Sequence, residues 1–214
     1  MNIKFFNVAL GIVLTATTMS ASAQKAYTSG VITMSTEAMG QQIEMKDYFT
    51  PDSSAMSFSA GPATIKILSN AKKTFFAVLV DVPVASIKKA AIETPDEIEQ
   101  QIAAFPKFTF APSSETKQIS GFNCKKVVAT DTKSNKTYDI WVTNDFTIPS
   151  NAFADYYAGA GGFPVQFTSF SQGREASVTV TKISDEKAPA GTFAISGDFE
   201  KITMDELKAM SGGN

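Results

Sequence analysis

With 214 residues, 43% of them hydrophobic, 19 basic against 21 acidic side chains and no histidine, the chain can build one sizeable core. The missing His excludes a Ser-His-Asp triad and imidazole zinc ligands, and leaves no side chain that ordinarily titrates near neutrality. The slightly acidic balance argues against a non-specific nucleic-acid binder, which needs a basic patch to displace counterions.

Residues 1–23 read as a cleaved secretory signal. Lys4 supplies the positive end, residues 5–19 form an apolar run too short to span a bilayer, and Ala21-Ser22-Ala23 is a small-x-small cleavage site. Cleavage leaves residues 24–214 as a single domain with 18 basic and 21 acidic groups. No Cys near the cut offers a lipid-attachment point, so the mature chain is expected to be exported and soluble, not membrane-spanning. The periplasm is the expected location and the extracellular space the alternative.

From residue 26 to residue 92 short strand-like segments dominate. Residues 27–36 are rich in Thr and β-branched side chains. In residues 42–49, Ile43, Met45 and Phe49 alternate with Gln42, Glu44 and Lys46, a period of two. Thr50-Pro51-Asp52-Ser53 is turn chemistry. Beyond it Met56, Phe58 and Ala60 face away from Ser57 and Ser59, Gly61-Pro62 breaks the run, and residues 64–68 resume it. Such segments predict consecutive antiparallel strands with one wet face. Residues 74–84 differ, being apolar on both sides: Phe76, Val78, Val80, Val82 and Val84 on one, Phe75, Ala77 and Leu79 on the other. That pattern fits a strand covered on both faces or one that flanks a cavity.

Residues 86–92 read as a short helix, because Ile87, Ala90 and Ala91 share a helical face. A firmer helix follows over residues 95–105. Thr94, Pro95 and Glu97 form an N-cap, a first-turn proline and a capping-box acid, and Ile98, Ile102 and Phe105 make a narrow apolar stripe ending at Pro106. Residues 108–111 make a short strand before Pro112. Residues 117–146 then give the strongest hairpin, turning at Lys133-Ser134-Asn135-Lys136. Its second strand sets Tyr138, Ile140 and Val142 against Asp139, Trp141 and Thr143. Residues 149–159 suggest a short helix around Phe153, Tyr156 and Tyr157. The glycines that follow lack the Lys-Ser/Thr of a phosphate loop. A second hairpin turns at Gln172-Gly173-Arg174. Near the end Thr203 and Glu206 form another capping box, opening a helix with Leu207 and Met210.

Little catalytic chemistry emerges. Cys124 is the sole cysteine, so it forms no intramolecular disulfide and reads as a small buried hydrophobe. Asp131, Asn135 and Asp139 surround the hairpin turn without the spacing or glycine of a calcium loop. Asp96, Glu97, Glu99, Asp205 and Glu206 sit at helix starts, where acids favour the helix dipole. No cofactor or metal is implied. What stands out is apolar content: 17 Phe, two of them in the signal, and six Met after cleavage. Residues of these types build cores, acyl-chain cavities and grooves for apolar partners.

KQISGFNCKKV at residues 117–127, YDIWVTNDF at 138–146 and FEKITMDELKAM at 199–210 resemble the domain of unknown function 4412 family, secreted Gram-negative proteins related in fold to the lipoprotein carrier LolA. The resemblance implies an α+β fold, a single curved antiparallel sheet (a LolA-like half-barrel) packed on two or three short helices, with a concave apolar face. The carrier's cargo-releasing Arg has no counterpart, since the sole Arg, Arg174, lies at a hairpin turn. Function is therefore expected at the level of a non-enzymatic envelope protein binding a hydrophobic small molecule or lipid, including a lipidated peptide. From the strand and helix faces, Phe76, Val78, Val80, Ile98, Ile102, Phe105 and Trp141 are the expected ligand-binding residues. An envelope protein-protein interaction module and a two-carboxylate hydrolase are the alternatives.

Overall fold

The computed structural model describes residues 24–38, 40–149, 155–171 and 173–210, so the expected signal lies outside the described residues. In chain order the strands are β1 (Lys25–Ala26), β2 (Gly30–Ala38), β3 (Gln41–Phe49), β4 (Ser53–Ala60), β5 (Ala63–Asn70), β6 (Phe76–Val82), β7 (Ile87–Ile92), β8 (Phe108–Ile119), β9 (Phe122–Asp131), β10 (Thr137–Thr143), β11 (Phe146–Thr147), β12 (Phe163–Ser171), β13 (Arg174–Ser184) and β14 (Glu200–Ile202). Helices α1 (Pro95–Ala104) and α2 (Met204–Met210) and two 3-10 turns, Pro83–Ala85 and Asp155–Ala160, join them.

Among the described residues, twelve strands form one sheet in the order β14-β7-β6-β5-β4-β3-β2-β13-β12-β10-β9-β8. Every neighbouring pair is antiparallel except β14 and β7. The sheet does not close: β14 and β8 are its two ends, and β1 pairs separately with β11. A large, mostly antiparallel sheet with a few short helices makes the fold α+β.

Three segments differ from expectation. Residues 87–92 are a strand, not a helix. The Pro83–Ala85 turn ends at Ser86 in a left-handed conformation (φ 53°), and the chain then pairs with β6 from Val82↔Ile87 to Ala77↔Ile92. The alternation buries Ala90 and Ala91 on opposite faces, which small side chains allow. Strand β8 runs on past Pro112 through an irregularity between Pro112 and Thr116. It is an edge strand, where one row of N–H groups lacks a partner and proline is tolerated. Of the helix expected near residues 149–159, residues 150–154 lie outside the described residues and Asp155–Ala160 is a 3-10 turn.

Helix α1 starts as its sequence dictates. Thr94 Oγ1 accepts the Glu97 N–H at 3.3 Å, and Glu97 Oε2 accepts the Thr94 N–H at 2.7 Å. The same box opens α2, with Glu206 Oε2 accepting the Thr203 N–H at 2.7 Å. Thr94→Ala should cost about 1 kcal/mol, read as a lower urea midpoint at unchanged slope.

The core divides into two clusters. The larger gathers Ile32, Met34, Phe49, Val127, Ile140, Val165, Phe167 and Val180 around Tyr157 of the 3-10 turn. The smaller, on β4 to β7, joins Ala55, Leu68, Ala77, Leu79 and Ala90 to Phe193, Ile195 and Phe199 of the loop before β14.

Candidate functional site

Residues directly opposite in an antiparallel ladder project to the same side of the sheet. The register from β2 to β7 therefore aligns Met34, Met45, Phe58, Ile65, Val80 and Lys89 in one row. The adjacent row on that side is Ile32, Asp47, Met56, Ile67, Val78 and Ala91. This is the inner face. At its β2 end Ile32 and Met34 are buried in the larger core, and at its β7 end Ala91 is buried. Between them Met45, Met56, Phe58, Ile65, Ile67, Val78 and Val80 are only half-buried. The outer face of the same strands buries its apolar residues, with Leu68 1% exposed, Ala77 0% and Leu79 2%, packed with Phe193, Ile195 and Phe199 of the loop before β14, while Ser59 and Thr64 at the hairpin end remain exposed. Strand β6 is thus apolar on both sides for different reasons: one side is core, and the other borders an open apolar surface.

Two charged residues stand in these rows. Lys89 pairs with Glu200. Asp47 is 0% exposed and has no ion pair among the described residues. Its Oδ1 accepts the Ser54 hydroxyl at 2.6 Å, while Oδ2 has no hydrogen-bond partner. Burial pushes the carboxyl up to about 7, against the opposing effect of the Ser54 and Ala55 hydrogen bonds.

Two clefts flank this region. One, of about 330 Å³, lies between the β5–β6 turn and α1 and is lined by Lys73, Thr74, Pro95, Ile98, Glu99 and Ile102. The other, of about 520 Å³, is formed by residues 41–46 of β3 and 57–64 of the β4–β5 hairpin, with Ile43 and Phe58 in its wall.

The expected site residues are distributed over several places. Phe76, Val78 and Val80 share the inner face, with Ser69, Ile67 and Ile65 opposite them. Ile98 is buried on α1, and Ile102, 40% exposed, lines the smaller cleft beside it. Phe105 instead packs against Tyr156 in a tilted pair (5.3 Å between centroids, 34°). Trp141 is opposite Lys126 and Gln166, on the side of the sheet away from Ile140 and Val142. There the Lys117 ammonium sits 4.0 Å from its ring centroid, so Trp141 belongs to a different surface from Val78.

Period two groups Met45 with Ile43 and Met56 with Phe58 within each strand, and only the register joins the two strands into one surface. Asp47 lies in phase with Met45 and Phe49. A charge at an apolar phase was the available signal.

Other candidate chemistry is locally engaged. Cys124 is buried, and desolvation, with the Asp145 carboxylate, pushes its thiol up to about 11, far from a reactive thiolate. Asp131 accepts from Lys133 N (3.0 Å) and Ser134 Oγ (2.6 Å), whereas Asp139 pairs with Lys126 at 2.8 Å. Among the described residues no three of His, Cys, Asp and Glu gather as a metal-binding set.

No protein-family model matches the chain, and no curated protein matches it significantly. Solved structures do resemble it. PNGF-II in its C2 and P21 space groups aligns at TM-scores of 0.50 and 0.51 and 16% identity, over 85% and 86% of this chain. This chain spans about a third of the PNGF-II chain, 32% and 33% in the two structures. An uncharacterized conserved protein from Thermus thermophilus aligns at a TM-score of 0.50 and 10% identity, over 82% of this chain and 90% of that one. At these identities the likeness is one of fold alone.

Proposed function

We propose that this chain is an exported, non-enzymatic binding protein of the cell envelope whose inner face holds a hydrophobic ligand, a lipid or a lipidated peptide. One observation carries the reading: Met56, Phe58, Ile65, Ile67, Val78 and Val80 form a contiguous apolar surface left half-buried, on strands whose opposite face buries its own apolar residues, Ala55, Leu68, Ala77 and Leu79. An apolar surface that persists on one side of an otherwise well-packed sheet is the ordinary mark of a binding site. The resemblance to the domain of unknown function 4412 family and its LolA-like half-barrel points the same way. Export rests on Lys4, the apolar run over residues 5–19 and Ala21-Ser22-Ala23. Cleavage after Ala23 leaves β1 whole, since β1 begins at Lys25.

Native mass spectrometry of the protein recovered from its own envelope should show a mature chain starting at Gln24 with non-covalent apolar mass attached. Recovery of the bare chain at every stage, with a co-purifying protein instead, would replace this reading with an interaction module. In the reloaded protein Val78→Asp should weaken binding of a fluorescent apolar probe at least tenfold, because it sets a charge where the chain must lie. Trp141→Phe, on the other face, should leave binding within twofold.

A further inference from the structure

The inner face contains one group that neither packing nor pairing explains. Asp47 is flanked across the ladder by Ile32 and Met56 and along its own strand by Met45 and Phe49, with the Ser54 hydroxyl and the Ala55 N–H as its polar neighbours. None of these titrates, and no Lys or Arg among the described residues offsets its charge. A buried carboxylate oxygen without a donor leaves its desolvation uncompensated, which the folded protein must offset elsewhere. The group also lies where the packed core ends and the half-exposed apolar rows begin.

We infer that the ligand of this face carries a cationic, hydrogen-bond-donating head, a primary ammonium on an apolar chain, seated at Asp47 Oδ2. The inference rests on the inner face being a hydrophobic binding surface, as proposed above. An ammonium supplies both things Asp47 lacks, a donor for Oδ2 and a counter-charge, in a setting of low dielectric where such a pair is strong. A carboxylate or phosphate head would bring like charge to the same point, and the one basic residue in the two rows, Lys89, is already paired with Glu200. From β3 the apolar chain would cross Met56, Ile67 and Val78, three interstrand steps or about 14 Å, a span that a dodecyl chain covers. The side chains beside Asp47 on the open side, Met45 and Met56, are half-buried thioethers, flexible enough to move aside and admit the head. The raised affinity of the carboxyl for a proton is the same demand for a donor expressed without a ligand.

The test compares dodecylammonium, dodecanol and dodecanoate by isothermal titration calorimetry on the full mature chain, each below its aggregation concentration. Dodecylammonium should bind at least tenfold tighter than dodecanoate, with dodecanol between them. Asp47→Asn should abolish that preference and leave dodecanol within twofold. Asp52→Asn at the exposed β3–β4 turn, which removes the same net charge, should preserve it. Equal affinity for all three heads overturns the head-group assignment and leaves the hydrophobic site standing. No binding of any of the three overturns both. The ranking on the unsubstituted chain decides the matter even where the Asn variant fails to fold.

Discussion

Raising the pH from 4 to 8 should destabilise the fold through Asp47 by about 4 kcal/mol. The unfolded carboxyl titrates near 3.8 and the folded one at about 7, so between these values the native state holds a proton that the unfolded state has released. Stability therefore falls as pH rises: this contribution is fully present below about 4 and lost as pH passes through about 7. About three pH units at 1.36 kcal/mol each give the magnitude. The direction is the reverse of the common carboxylate case, because desolvation, not an ion pair, dominates the shift. Other carboxylates act in the ordinary sense. The backbone N–H of Thr94 holds Glu97 low, that of Thr203 holds Glu206 low, and the Lys88 ammonium holds Asp198 at about 2; these contributions disappear as pH falls.

The measurement that isolates Asp47 is thus a difference. Urea unfolding of the natural chain and of Asp47→Asn, at fixed ionic strength, should give stabilities whose gap changes by about 4 kcal/mol between pH 4 and pH 8, with the variant gaining as pH rises. Parallel profiles would mean that Asp47 is hydrated in the folded protein, and the isolated carboxyl on the inner face would lose its meaning. Ammonium ligands should flatten the natural chain's profile by stabilising the ionised form, which links this experiment to the head-group test without depending on it.

Much of the architecture could be read locally. Alternation in Tyr138–Thr143 placed Ile140 and Trp141 on opposite sides, and the Thr94–Glu97 pair marked the start of α1, because period and capping act over a few residues. What escaped depends on distant partners. Ile87, Ala90 and Ala91 satisfy a helical and an extended pattern alike, since alanine packs in both, and pairing with β6 decides between them. Strand β14 is three residues long and takes its identity from β7, over a hundred residues earlier. The side that Trp141 faces was legible, but not what covers it, which is Lys117 from β8. Burial of Asp47 arises in the same way: its phase is local, whereas Ile32 and Met56 come from β2 and β4.

The second large effect concerns the turn that closes the larger core. Tyr157 is fully buried and belongs to the same core cluster as Ile32, Met34, Ile140 and Val165. Its ring stacks on Phe108 (5.2 Å, 15°), meets Tyr156 edge-on at 4.8 Å and faces Phe167 at 5.8 Å. Its hydroxyl donates to the Thr168 carbonyl at 2.9 Å. Tyr157→Ala removes the ring from a site lined by strands that cannot collapse inward without breaking their ladders, so the loss should be about 3–5 kcal/mol. Tyr157→Phe keeps the ring and leaves the Thr168 carbonyl short of a donor, a loss of about 1–2 kcal/mol. The neighbouring glycines restrict how the turn adapts. A Cβ on Gly159 would lie 2.9 Å from the Phe110 ring, and one on Gly162 2.8 Å from the Thr143 carbonyl oxygen. The segment therefore cannot slide to refill the space, and the cost of Tyr157→Ala should fall at the upper end of the range. Urea titration followed by near-ultraviolet circular dichroism reads both variants. A Tyr157→Ala loss no greater than that of Tyr157→Phe would mean that the Asp155–Ala160 turn does not seat its ring in this core. If the loss is large, binding by the inner face of β4–β6 should still persist wherever the variant remains folded, because that surface draws none of its residues from the turn.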